Sequence, residues 1–195
     1  MKSEHRWELS RKSFVKSLLI GGAALQLPWL ASCSNENDFT GSTHPLSKEQ
    51  FKLLQAVQNT LFPSDGNGPG ATEINAGTYL IWVLNDTNID PEENTYIIEK
   101  LDKFDLRCKE MMKNNFLDLS AQKQNEFVAE MSEYIWGRRW LSRLTTLIFE
   151  ALLLDPQYGG NPHNIGWDWL NHDPGEPRPS KRILYPTIKD ISHEV

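Results

Sequence analysis

The stretch RWLSRLTTLIFEALLL, Arg139 to Leu154, decides the fold. It is apolar round much of a helical circumference, and Asp155-Pro156 closes it. An unbroken run of this length exceeds the roughly ten residues that bound most strands and is read as a helix. No segment of the chain carries sustained period-two alternation. The fold is therefore predicted to be all-α, a compact bundle of about five helices.

Towards the N-terminus, Gly137 is expected to interrupt the chain. Before it a helix should start at Leu119-Ser120, with Phe127, Met131, Tyr134 and Ile135 along one face. Asp90-Pro91-Glu92-Glu93 is a strong helix start: a capping carboxylate, proline where no amide is needed, then acids near the positive end of the dipole. That helix should continue to Met112, and within it Cys108 falls at helical spacing with Leu101, Phe104 and Met111. Such a cysteine behaves as a small buried apolar residue rather than a reactive thiol. A shorter helix is predicted over 72–85, carrying Ile74, Tyr79, Ile81, Trp82 and Leu84, after a glycine-rich loop at 64–71, SDGNGPGA. The first helix opens at Ser47, with Gln50 completing a reciprocal capping box. Phe51, Leu54, Val57, Leu61 and Phe62 follow, and Pro63 ends it.

Beyond Asp155-Pro156 the pattern changes. Glycine and proline recur from Gln157 to Pro186, with Trp167 and Trp169 among them, so this part reads as an irregular Gly/Pro/Trp-rich tail. Long irregular segments are usually functional or disordered. Two tryptophans argue against plain disorder.

At the other end, Ser10-Arg11-Lys12-Ser13-Phe14-Val15-Lys16 leads into an apolar run from Leu18 to Leu30, then Ala31-Ser32-Cys33. A basic start, a short apolar centre and small residues at the end are the parts of an export signal. The run is too short to cross a hydrocarbon core of ~30 Å as a helix, which takes about 20 residues. Arg11, Lys12 and Phe14 resemble a twin-arginine motif with Lys12 where the second arginine normally stands; the general secretory route is the alternative. Leu30-Ala31-Ser32-Cys33 looks like a bacterial lipobox, so Cys33 is expected to be lipidated and to become the new N-terminus. Residues 1–32 are read as the signal peptide, 33–45 as a flexible tether and 46–195 as a single helical domain. The expected place is the bacterial cell envelope, lipid-anchored and facing the periplasm.

Loss of the signal removes five basic residues (Lys2, Arg6, Arg11, Lys12, Lys16) and two acidic ones (Glu4, Glu8), taking the net charge from −6 to −9. That balance argues against nucleic acid and anionic lipid surfaces as main partners. With Cys33 acylated, Cys108 has no cysteine to pair with, and stability must come from the core or from a partner. The absence of Cys-x-x-Cys-His excludes covalent c-type haem.

The chain carries few motifs of reactive chemistry. Gly66-Asn67-Gly68-Pro69-Gly70 lacks the Lys-Ser/Thr and the preceding strand of a phosphate loop, and no nucleophile elbow or His-Glu-x-x-His pair occurs. His163, Asp168, His172 and Asp173 fall within eleven residues, but their spacing matches no metal signature and reads as local hydrogen bonding in turns. No catalytic or metal-binding residue is assigned. Trp136-Gly137-Arg138-Arg139-Trp140 is the one dense basic-aromatic patch, and tryptophan and arginine are the residues most enriched at binding hot spots. Trp136, Arg139 and Trp140 are therefore candidate partner-binding residues. The competing placement puts one or both tryptophans in the core.

Thr60-Leu61-Phe62-Pro63-Ser64 with its glycine-rich loop, and Asp155-Pro156-Gln157-Tyr158-Gly159-Gly160-Asn161 followed by Gly166-Trp167, resemble the gluconate 2-dehydrogenase subunit 3 family over about 46–170. After Gly-Trp the chain departs from that family's usual short apolar ending. The resemblance implies a non-catalytic small subunit, without a cofactor of its own, that stabilises and co-exports a large FAD-dependent dehydrogenase of the glucose-methanol-choline type. A cytochrome subunit often takes the electrons in such complexes. It also implies that Tyr158, Gly159, Gly160, Asn161, Gly166 and Trp167 serve partner binding, Gly159 and Gly160 through backbone angles closed to other residues. Two other readings stay open at this point: a stand-alone envelope hydrolase or metal enzyme using His163 and His172, and a lipoprotein scaffold.

Overall fold

The computed structural model of the chain describes residues 45–175. The export residues Arg11, Lys12 and Phe14, the lipidation site Cys33 and the end of the tail lie outside the described residues. Within them are six α-helices and no strand: α1 (Lys48–Leu61), α2 (Ala76–Asn85), α3 (Pro91–Met112), α4 (Ala121–Glu133), α5 (Ile135–Leu153) and α6 (Ile165–Leu170). The all-α expectation holds, and the additional helix, α6, lies in the segment read as irregular.

Local chemistry explains most of the boundaries. Ser47 Oγ accepts from the Gln50 amide at 3.1 Å while Gln50 Oε1 accepts from the Ser47 amide at 2.9 Å, the reciprocal box that starts α1. Asp90 accepts from the Glu92 amide at 2.9 Å and Pro91 takes the first position of α3. Two boundaries differ from expectation. α2 begins at Ala76 rather than 72, because Asn75 takes a left-handed conformation (φ 55°) and ends the turn before it. The α4–α5 break falls at Tyr134, whose backbone is extended, so Ile135 is 71% exposed instead of lying on the apolar face of α4. Gly137 does not interrupt a helix. It sits inside α5, where a Cβ would come within 2.1 Å of the Met131 carbonyl oxygen at the end of α4.

α5 is the central element and packs against α1, α2, α3, α4 and α6. Trp140 lies on its buried side with no exposed surface, and the indole donates to the Ile97 carbonyl of α3 at 3.2 Å. Phe104 is at the centre of an aromatic cluster, with Phe127 at 4.9 Å, Phe116 at 5.1 Å and Trp140 at 5.2 Å between ring centroids. Such pairs add about 0.5–1.5 kcal/mol each beyond the area they bury. Trp140 is thus a core residue with a satisfied N–H, and the basic-aromatic patch loses it. Cys108 is buried in the same region, and burial pushes its thiol up to about 11. No helix among the described residues is long and apolar enough to cross a membrane.

Candidate functional site

A helix as long as α5 ends with carbonyl groups that have no partner within the helix. The segment after it supplies them. The Trp167 indole donates to the Leu153 carbonyl at 2.7 Å, and the Asn161 carboxamide donates to that of Leu154 at 3.3 Å. Asn161 has no exposed surface. Its amide donates to the Ile74 carbonyl at 3.0 Å, and its side-chain oxygen accepts from the Gly166 amide at 2.7 Å. The Asn161 carboxamide therefore ties the end of α5 to the start of α6, and its backbone N–H ties both to the chain before α2.

The glycines serve this clamp in two ways. Gly159 has φ +92°, as the sequence suggested. Gly160 is outside the left-handed region and is required by proximity: a Cβ there would meet the Ala151 carbonyl oxygen at 2.6 Å. Gly166 repeats the device, with a Cβ at 2.3 Å from the Leu152 carbonyl oxygen. Asn161, His163 and Asn164 all take positive φ, a conformation costing roughly 1–2 kcal/mol for residues with a Cβ. Asn161 is held there by its hydrogen bonds on both sides.

The sequence-predicted binding residues thus divide. Gly160, Asn161, Gly166, Trp167 and Trp140 are buried and shape the surface from beneath. Tyr158 is half-buried, its ring edge-on to Trp82 at 5.0 Å. Trp136 is half-buried with the Lys103 ammonium 4.4 Å above its ring, and Arg139 is exposed beside it. His163, Asp168, His172 and Asp173 do not assemble. Among the described residues no group of three or more His, Cys, Asp or Glu converges as metal ligands.

Two surface features escaped the sequence reading. The first is an apolar face. Phe149 (46% exposed) and Leu153 (48%) stand one turn apart on α5, and Trp169 (43%) and Leu170 (44%) follow one another on α6. Phe62 joins them, 6.1 Å from Phe149 and 6.4 Å from Trp169 between ring centroids. Trp169 is seated by a 2.6 Å hydrogen bond to the Asn67 carbonyl, and a Cβ on Gly68 would lie 2.2 Å from its ring. The signal was present in α5, whose apolar residues exceed what one buried side needs.

The second is a groove of about 340 Å³ between α2 and α5, walled by Tyr79, Trp82, Leu154 and Tyr158. Trp82 stacks on Tyr79 at 5.7 Å. The Tyr79 hydroxyl donates to Glu150 at 2.9 Å, and Arg143 bridges Glu93 and Glu150. Burial, and then the Glu150 carboxylate, push the Tyr79 phenol far above its ordinary range, so it remains a neutral donor. Asp86, 8% exposed, also lines the groove and accepts from the Asn88 amide and side chain at 2.9 and 3.0 Å.

Fold and site together define a helical domain whose most distinctive motif locks the end of its central helix and sets an aromatic surface beside it. The chain matches the family model for gluconate 2-dehydrogenase subunit 3 over residues 48–175, from α1 to the loop after α6, and it belongs to that family. No curated protein and no solved structure matches it.

Proposed function

We propose that this chain is a non-catalytic accessory subunit that binds and stabilises a large FAD-dependent dehydrogenase acting on gluconate or a related sugar or sugar acid. The observation that carries this reading is the exposed apolar face of Phe149, Leu153, Trp169 and Leu170, in a chain whose family is described as a dehydrogenase subunit. Contiguous apolar faces of this kind mark association sites. Covering the exposed half of each side chain contributes about 1 kcal/mol. The flavin and the oxidation belong to the large chain, and a cytochrome subunit takes the electrons. In the same reading Arg11 and Lys12 direct both chains through the route for folded proteins, and lipidated Cys33 holds the complex at the membrane, facing the periplasm.

Affinity purification of the tagged chain tests the binding. A yellow, FAD-containing partner is expected, lost when Phe149 and Leu153 are both changed to serine while the helical circular dichroism persists. A colourless monomer carrying bound zinc would overturn the proposal. Export is tested separately by changing Arg11-Lys12 to Gln-Gln, which should strand both chains in the cytoplasm.

A further inference from the structure

α5 packs against five other helices and still leaves one line of its surface open from end to end. Ile135, Arg139, Ser142, Thr146, Phe149 and Leu153 are all exposed, and successive members stand four, three, four, three and four residues apart. At about 3.6 residues per turn, Leu153 lies five turns beyond Ile135, so the line runs straight along about 27 Å of helix. A solvated helix face carries mostly charged and polar side chains. Here Ile135, Phe149 and Leu153 are large and apolar, Ser142 and Thr146 are small, and Arg139 is the single charge. Arg138, exposed on the flank, donates its guanidinium N–H groups to the Ser132 and Glu133 carbonyls.

Spacings that alternate between four and three are those of a helix-packing seam. Small residues in its middle let a second helix axis come close. The backbone groups of α5 are spent within the helix, so an extended partner segment would find no ladder to join. Charge narrows the occupant further. Among the described residues no ion pair engages Arg139, and Glu133 lines the same hollow without pairing with it. A second copy of this chain fits poorly. Laid parallel it sets Arg139 against Arg139, and laid antiparallel it brings Phe149 and no carboxylate to that guanidinium.

We propose that this line seats one amphipathic helix of the partner subunit, laid along α5 from the apolar face to the α4–α5 break. Apolar residues of that helix cover Leu153, Phe149 and Ile135, and an acidic residue meets Arg139. The existence of the partner rests on the accessory-subunit reading; the length and form of its contact do not. The test places the photo-crosslinker p-benzoylphenylalanine singly at Ile135, Ser142, Thr146 and Leu153 of the full chain, expressed in its own host. All four should join the same flavoprotein within one segment of about 25 residues, at positions advancing by three or four. Crosslinks from Leu153 alone, or to scattered segments of the flavoprotein, overturn the helix and leave the accessory-subunit reading standing. Products joined to lipid or to a second copy at Ser142 and Thr146 overturn it as well. No flavoprotein from any position overturns both. Thr146→Arg and Arg139→Glu lie outside the apolar face. Each should reduce capture about tenfold or more while the helical circular dichroism is unchanged, and native capture by either variant sinks the proposal.

Discussion

The Gly166 amide donates to the Asn161 side-chain oxygen at 2.7 Å, and the residue that accepts has no exposed surface. The same carboxamide donates to the Leu154 carbonyl, so a loop of turns is held to the end of α5 by one side chain. A motif that looks like a binding sequence is thus first a helix-terminating device. It fixes α6, and α6 carries Trp169 and Leu170 to the apolar face. Asn161→Ala leaves a buried amide and a carbonyl without partners and puts alanine in a left-handed conformation. The expected loss is about 2–4 kcal/mol, measured by urea unfolding, with proteolytic cleavage after α5 appearing first. Asn161→Asp keeps the acceptor and loses the donor, so it should fall between alanine and the native chain.

The glycines separate conformation from space. Gly166→Ala and Gly160→Ala force a Cβ onto backbone oxygens at 2.3 and 2.6 Å, which cannot move without shifting α5. Each should cost several kcal/mol, above the ordinary ~1 kcal/mol centre for single substitutions. Gly66→Ala meets nothing within 4 Å and carries the cost of φ +86° alone, about 1 kcal/mol. Thermal unfolding of the three variants should rank them accordingly. Equal midpoints would mean that the close approaches to α5 relax.

That contrast also shows what the sequence could reveal. The starts of α1 and α3 were legible because Ser47, Gln50, Asp90 and Pro91 act on residues two or three positions away. The α4–α5 break was not, because Gly137 answers to the Met131 carbonyl, and a glycine chosen for close approach looks like one chosen to end a helix. Periodicity placed Cys108 in the core correctly, since its neighbours on one helix face settle the matter. Trp140 and Trp169 could not be told apart by type. One is buried at the centre of the bundle and the other 43% exposed, a difference set by packing across elements far apart in the chain. The groove was invisible for the same reason: Tyr79 and Glu150 lie on different helices and meet only in the fold.

Cys108 supplies a prediction in pH. Burial raises its thiol in the folded chain to about 11 from an ordinary value of 9.0, with Asp105 adding to the effect. Between those values the unfolded thiol releases its proton while the folded one keeps it. The unfolded state then binds fewer protons, so stability is fully present below pH 9.0 and falls as pH rises towards about 11. Tyr79, also raised, extends the alkaline loss to higher pH in every variant. Urea midpoints taken from pH 8 upwards should therefore decline more steeply for the native chain than for Cys108→Ala. In the folded chain the thiol should resist alkylation at pH 8 and react once urea unfolds it. Rapid labelling without denaturant would contradict its placement.

Trp167 and Trp169 are two residues apart and should separate stability from association. Trp167 is 5% exposed and gives its indole proton to the Leu153 carbonyl, so Trp167→Ala removes a buried ring and uncaps α5. A loss of about 3–5 kcal/mol is expected, visible as a lower unfolding midpoint whether or not a partner is present. Trp169 rests on the glycine loop with its outer surface open, so Trp169→Ala should cost the isolated chain only about 1–2 kcal/mol. If the apolar face is the docking surface, the order reverses in the pull-down. Trp169→Ala should sharply reduce recovery of the flavoprotein at a temperature where the chain is fully folded. The folded fraction of Trp167→Ala should still capture it in the cold. Should Trp169→Ala bind normally while Tyr134→Ala and Ile135→Ser at the α4–α5 break abolish capture, the interface lies on the Trp136–Arg139 side of the bundle.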